Sequence, residues 1–165
     1  MKLTSNIQHG RKSYGIYTEA GIIDLGQKIG QQYPTLKDLL QWDALAVAKQ
    51  YVDYPADITD KDITFLPVIE EPGKIFCVGM NYAEKRKEFA ETNNAPTLFI
   101  RFADSQTGHA RPVIKPNITE EFEYEGELAV IIGKAGENII RSDALSHVAG
   151  YSCYMDGSVR DWQHA

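Results

Sequence analysis

Cysteine is nearly absent from this sequence: two in 165 residues. Cys77 and Cys153 are far apart, each within an apolar, strand-like run, and lack the paired spacing of a thiolate metal site. A disulfide framework is thereby excluded, and both thiols read as buried and reduced. Long hydrophobic runs are equally scarce. The longest, LAVII from Leu128 to Ile132, falls far short of the roughly 20 residues that span a bilayer, and the opening MKLTSNIQHGRK has no apolar core for a secretion signal. Charge of one sign never accumulates either. The 17 basic and 23 acidic residues give a net charge of −6 with no basic stripe that could follow a phosphate backbone. Neither nucleic acid nor a membrane is expected as a partner, and the expected location is the cytosol. Repeats and low-complexity tracts are missing too. The sequence has 43% hydrophobic residues, enough to build a core and too many for a disordered chain.

Proline, glycine and charge divide the sequence near Glu70 to Gly73 into two regions, 1–70 and 71–165. The first opens with KLTSNI, SYGIYT and GIIDL, three short strand-like pieces separated by turn residues, which read as a small antiparallel meander. Thr35 can then cap a helix with Asp38 at its third position, and apolar residues recur at helical spacing to Tyr51, predicting one helix over 35–52. The stretch from Asp53 to Pro72 reads as a connector with one strand, ITFLPVI. In the second region KIFCVG is a strand that delivers the chain to MNYAEKRKEFAE, polar and of helix-forming composition, which reads as a charged loop or a helix. PTLFIRF, RPVIKP, YEGELAVIIGK and YSCYMD read as further strands, and SDALSHVAGY as a short helix capped by Ser142. Many strands with few short helices argue for the α+β class.

The acidic segment FEYEGELAVII carries the chemistry. Side chains alternate faces along a strand, so Glu123, Glu125 and Glu127 share one face while Phe122, Tyr124, Leu128, Val130 and Ile132 take the other. Residues two apart are about 6.5 to 7 Å apart at the backbone, so these carboxylates either converge on a cation or repel each other. The same face continues as Ala129 and Ile131, which places the acidic end beside buried surface. Alternating Glu also marks solvent-facing edge strands, and the segment alone leaves both readings open. Asp156 adds weight to the first, because it closes an apolar strand at a place where a carboxylate has no packing role. Three carboxylates with water suit octahedral Mg²⁺ or Mn²⁺ better than Zn²⁺.

The ordered series KIFCVGMNY, YEGELAVIIGK and VAGYSCYMDGSVRDWQ resembles the fumarylacetoacetate hydrolase family, from about Lys74 to Gln163. The resemblance implies the first part of a mixed β-roll or barrel catalytic domain over 71–165, with 1–70 as the variable amino-terminal domain. It implies Glu125, Glu127 and Asp156 as ligands of Mg²⁺ or Mn²⁺, matching the reading of the residues themselves. It further implies Arg160 and Gln163 as substrate-binding residues, an arginine fork being suited to a carboxylate. An ion pair of Arg160 with neighbouring Asp161 is the plain alternative. The implied substrate is a small β-diketo or 2-oxo acid, and the implied assembly is a homodimer. The implied activity is metal-dependent hydrolysis of a carbon–carbon bond in aromatic catabolism. Decarboxylation or tautomerisation of 2-oxo dicarboxylic acids is the alternative chemistry, and a non-catalytic interaction module the alternative class.

Hydrolytic members of the family place a His in the loop after NY, with a Glu three residues on, to activate water. Here that loop reads NYAEKRKE: Glu88 stands in the acid position but Lys85 replaces the His, so water activation loses its evident base. His109 in SQTGHARP is the one other histidine near a plausible site mouth, and an exposed loop histidine needs no function. The sequence also stops at His164 and Ala165, directly after the last motif, where the family's catalytic region continues. A fragment of a longer enzyme is therefore expected.

Overall fold

The computed structural model describes residues 1–163; His164 and Ala165, where the expectation of a truncated chain falls, lie outside the described residues. The chain forms two compact units, one comprising Met1–Ile69 together with the residues from Thr107 onward, the other Glu70–Gln106. The α+β class is as expected.

In the first unit, β1 (Lys2–Gln8), β2 (Arg11–Thr18), β3 (Gly21–Asp24) and the short β4 (Thr64–Phe65) form an antiparallel sheet in the order β3-β2-β1-β4. The expected meander is its first three strands, and ITFLPVI supplies the fourth by pairing with β1 at Asn6 and Ile7. The β1–β2 turn is His9–Gly10, with φ of +48° and +79°. Positive φ at both central residues gives the twist that matches two right-twisted strands. Three short helices follow: α1 (Leu25–Ile29), α2 (Leu36–Gln41) and α3 (Leu45–Lys49). Tyr14, Ile16 and Ile23 of the sheet pack with Leu36, Leu39 and Leu40 of α2 and Ala48 of α3.

The Thr35 cap is formed as expected, with a reciprocal capping box to Asp38. The single helix over 35–52 is not formed. Asp43 adopts φ +53°, and the amides of Ala44 and Asp43 bond back to the carbonyls of Leu39 and Leu40, both at 3.0 Å. This is a Schellman closure, which satisfies the last carbonyls of α2 and restarts the chain as α3. The apolar spacing continues across the break, which is why periodicity alone does not reveal it.

Three further expectations are corrected. RPVIKP forms no ladder: Pro112 and Pro116 have no N–H to donate, and Val113 and Ile114 are exposed. SDALSH forms a 3₁₀ turn at Ala144–His147 without a side-chain cap, because the Ser142 hydroxyl bonds the Asp143 carboxylate instead. Cys153 is exposed and Cys77 partly so. The loop after Thr107 lies against β4: a Cβ on Gly108 would fall 1.9 Å from the Phe65 carbonyl oxygen, so only glycine fits there. His109 packs its ring edge-on to Phe65 at 5.3 Å.

The second unit is an antiparallel pair of β5 (Ile75–Gly79) and β6 (Thr97–Arg101), with α4 (Ala83–Glu88) in the connection. KIFCVG thus forms the strand read from the sequence, and of the loop or helix expected after it AEKRKE forms the helix. Among the described residues no helix is long and apolar enough to cross a membrane.

A polar network ties the N-terminal sheet to α1. Asp24 caps α1 by accepting the Gln27 amide at 3.0 Å, and it also accepts from Arg11 and Ser13. Its own amide donates to Asp57 at 2.8 Å, and the Lys28 ammonium donates to the other Asp57 oxygen at 2.8 Å. Burial pushes the Asp57 carboxyl up, but the Lys28 hydrogen bond, the Asp24 amide and the Lys28 charge together outweigh it and hold the group below its ordinary 3.8. A depressed carboxyl stabilises the fold above its unfolded pKa and loses that contribution as pH falls through the folded value. Asp57→Asn is therefore expected to cost about 1–2 kcal/mol at pH 7, with the gap to the unmodified chain closing well below pH 3.8 in thermal melts.

Candidate metal centre

The acidic segment is built as two short pieces rather than one strand. The first, β7 (Phe122–Glu123), pairs antiparallel with β10 (Ser158–Val159), Glu123 lying opposite Ser158. The second, β8 (Gly126–Ile132), pairs antiparallel with β9 (Val148–Met155), Gly126 opposite Met155 and Glu127 opposite Tyr154. Between the two pieces the Asp156 amide donates to the Glu125 carbonyl at 2.9 Å. The ladder therefore continues one step, and Glu125 stands opposite Asp156. Residues opposite each other in an antiparallel pair share a face, and residues two apart on a strand share it too. Glu125, Glu127 and Asp156 thus occupy one face at one end of the β8–β9 pair.

That face is the inner one. Ala129 and Ile131 are half-buried along it, and Ile131 and Ala149 pack against the hydrophobic core. The opposite face, with Leu128, Val130 and Ile132 on β8 and Tyr151 on β9, is exposed. Cys153 lies opposite Leu128 and shares its exposure, which explains the corrected thiol. Asp156 is 8% exposed, a depth at which a carboxylate is costly unless compensated. At Gly157 a Cβ would stand 2.6 Å from the Phe122 ring. A side chain there would have to push that ring aside, and the chain runs on from β9 into β10 in the same register, which brings Ser158 beside Glu125.

The positive charge that the acids require comes from α5 (Arg160–Gln163). Arg160 Nε donates to Glu123 Oε2 at 2.7 Å, and Nη2 stands 2.9 Å from Glu125 Oε1. Nη1 donates to the Gln163 side-chain oxygen. Ser158 Oγ donates to the same Glu125 oxygen at 2.5 Å. The Glu123 hydrogen bond, set against burial and reinforced by the Glu125 charge, moves the guanidinium pKa above its ordinary value. The pairing of Arg160 with Asp161 does not form. Asp161 instead accepts from Thr119 Oγ1 at 2.6 Å, and Thr119 also accepts the Glu121 amide at 3.0 Å.

The structure therefore gathers Glu125, Glu127, Asp156, Arg160 and Gln163 at one end of one strand pair. Among the described residues no three Asp, Glu, His or Cys side chains stand close enough to hold a cation as they are placed. The donor set nevertheless fits a hard divalent ion: three carboxylates on one face, one of them buried, with Glu125 already drawing in a guanidinium and a hydroxyl. Lys85 and Glu88 lie on α4 in the second unit, where Lys85 Nζ is 3.7 Å from Glu88 Oε2 and 4.7 Å from the centre of the Phe89 ring. Sequence reasoning missed Glu123 and Ser158 as partners of Arg160 and Glu125, and Thr119 as the anchor of Asp161. The alternation that put Glu123 on the face of Glu125 was the available signal for the first. Thr119 left none.

Comparison with known proteins gives a consistent picture. Residues 74–165 match the family profile described as fumarylacetoacetate (FAA) hydrolase C-terminal. Human mitochondrial oxaloacetate tautomerase FAHD2A is 43% identical over 103 residues, covering 62% of this chain and 33% of that protein. Its counterpart from Xenopus laevis is 39% identical over 122 residues, covering 73% and 38%. The chain thus spans about a third of the length of these relatives. Fumarylacetoacetate hydrolase from Exiguobacterium antarcticum superimposes with a TM-score of 0.74 at 27% identity, over 99% of this chain and 58% of that one. Maleylpyruvate hydrolase from Sphingobium, solved with a manganese(II) ion and pyruvate, gives 0.77 at 25% identity over 97% and 60%.

The Thr119 side chain is buried at 1% exposure, and it ties the α5 segment to the loop before β7. Thr119→Val is expected to destabilise the protein by about 1–2 kcal/mol through the unpaired amide and carboxylate it leaves, measured as a lowered midpoint in urea unfolding with unchanged slope.

Proposed function

The chain belongs to the fumarylacetoacetate hydrolase family, and from that premise we propose that it supplies the cation-binding strands of an enzyme that interconverts the keto and enol forms of a small 2-oxo dicarboxylic acid. The observation that carries this reading is the pairing of Lys85 with Glu88 where hydrolytic chemistry calls for a histidine beside the acid. A lysine in place of that histidine offers no imidazole nitrogen to take a proton from water. Family membership supports an enzyme, and the similarity to proteins named oxaloacetate tautomerase supports this chemistry over hydrolysis.

In this proposal Glu125, Glu127 and Asp156 hold a divalent cation, Mg²⁺ or Mn²⁺. The cation supplies Lewis-acid polarisation of the 2-oxo group. Arg160 presents its planar fork to a substrate carboxylate, and Gln163 donates to a substrate oxygen through its amide. The buried position of Asp156 keeps that side of the site poor in water, which strengthens each charged contact. A cytosolic homodimer is the setting inferred from composition and from the family.

Carbon–carbon hydrolysis is the second reading, favoured by the likeness to maleylpyruvate hydrolase. The two separate in one assay. With Mn²⁺ present, the protein is expected to speed the ultraviolet absorbance decay of enol-oxaloacetate and to release no pyruvate from an acylpyruvate. Pyruvate release without enol decay would establish the hydrolase instead. Glu127→Gln is expected to lower the tautomerase rate by about a hundredfold or more, whereas Lys85→Met is expected to leave Mn²⁺ affinity unchanged.

A further inference from the structure

Each nitrogen of Arg160 has a partner within the chain: Nε in Glu123, Nη2 in Glu125, Nη1 in Gln163, and the backbone amide in the Glu121 carbonyl at 2.9 Å. Two residues suited to an anionic substrate thus engage each other, and one of them also engages a carboxylate suited to a cation. Glu125 Oε1 in turn carries two donors, Arg160 Nη2 and Ser158 Oγ. One carboxylate oxygen has no lone pair left for a third partner. The Arg160 side chain is 14% exposed, so where it stands its charge is compensated by these acids more than by water.

We propose that Arg160 is the resident counter-ion of the acidic cluster and changes places with the divalent cation. When a cation binds at Glu125, the Nη2 edge of Arg160 leaves that carboxylate while Nε stays hinged on Glu123. The freed edge is then presented to a substrate carboxylate. Cation binding and anion binding become reciprocally coupled, because the cation releases the group that holds the anion. Substrate entering before the cation meets an arginine already taken. The inference rests on the cation site proposed above and adds an order of binding to it.

Titration calorimetry with Mn²⁺ alone tests the exchange. Arg160→Met removes the competitor and is expected to tighten Mn²⁺ binding about fivefold or more. Arg160→Lys keeps the positive charge but lacks the fork that reaches both Glu123 and Glu125, and is expected to tighten binding by a smaller factor. That variant separates seat-sharing from a long-range repulsion, which would leave Lys equal to Arg and would be screened by salt. In a Trp42→Phe background the emission of Trp162, two residues from Arg160 on α5, is expected to shift on adding Mg²⁺ and to stay constant in Arg160→Met. If the unmodified protein binds Mn²⁺ and both Arg160 variants bind it equally or more weakly, the exchange is overturned and the cation site stands. If no variant binds Mn²⁺, the cation site itself fails and the exchange with it.

Discussion

The hydrogen bond from the Asp156 amide to the Glu125 carbonyl, 2.9 Å long, sets where every charge of the acidic cluster stands. It extends the β8–β9 ladder one step beyond Gly126 and Met155, and so puts a second strand's carboxylate opposite the first's. Like charges at that spacing repel each other unless something positive comes between or beside them. The chain answers this within four residues by running on through Gly157 into β10 in the same register, so that Ser158 and Arg160 reach Glu125 and Glu123. Backbone pairing creates the electrostatic problem, and the residues that follow Asp156 in the chain supply the compensation.

Apolar burial is unevenly shared. The fully buried apolar side chains lie between Tyr14 and Ile58, in the sheet and helices of the amino-terminal part. The β8–β9 pair joins that core through Ile131 and Ala149 on its inner face, and leaves Leu128, Val130 and Ile132 exposed on the other. In the second unit the β5–β6 pair exposes Phe76, Val78, Leu98 and Ile100 in the same manner. Two strands alone are marginal in water. The acids therefore sit on the strand pair that has a core behind it, and what steadies the cluster is the inner face alone.

Much of this was legible in the sequence wherever one local rule governs. The capping box at Thr35 needs two residues three apart, the meander needs turn residues between alternating runs, and the shared face of Glu125 and Glu127 needs only the period of a strand. The restart at Asp43 was not legible, because a Schellman closure buries Ala44 and keeps the apolar spacing intact. RPVIKP misled because its apolar residues satisfy the pattern of a strand while its prolines deny the ladder. Arg160 misled through proximity: Asp161 is its neighbour in sequence, but on a helical turn adjacent side chains point apart. Asp161 instead finds Thr119, and Arg160 finds acids 35 and 37 positions away, distances that no local rule reaches.

The β8–β9 register shifts once, between Ile131 and Ile132, at the end of the ladder remote from the acids. From Glu127 to Met155 the pairing is in step. Insertions and deletions are therefore not equivalent along this stretch. A residue gained in the connector between Gly133 and His147 lengthens a loop whose ends are already fixed, at little cost. A residue gained between Ser152 and Met155 would turn Asp156 to the apolar face and leave Glu125 without its opposite number. Among chains that keep this cluster, divergence in length belongs in the connector, and divergence within the strands is confined to substitution.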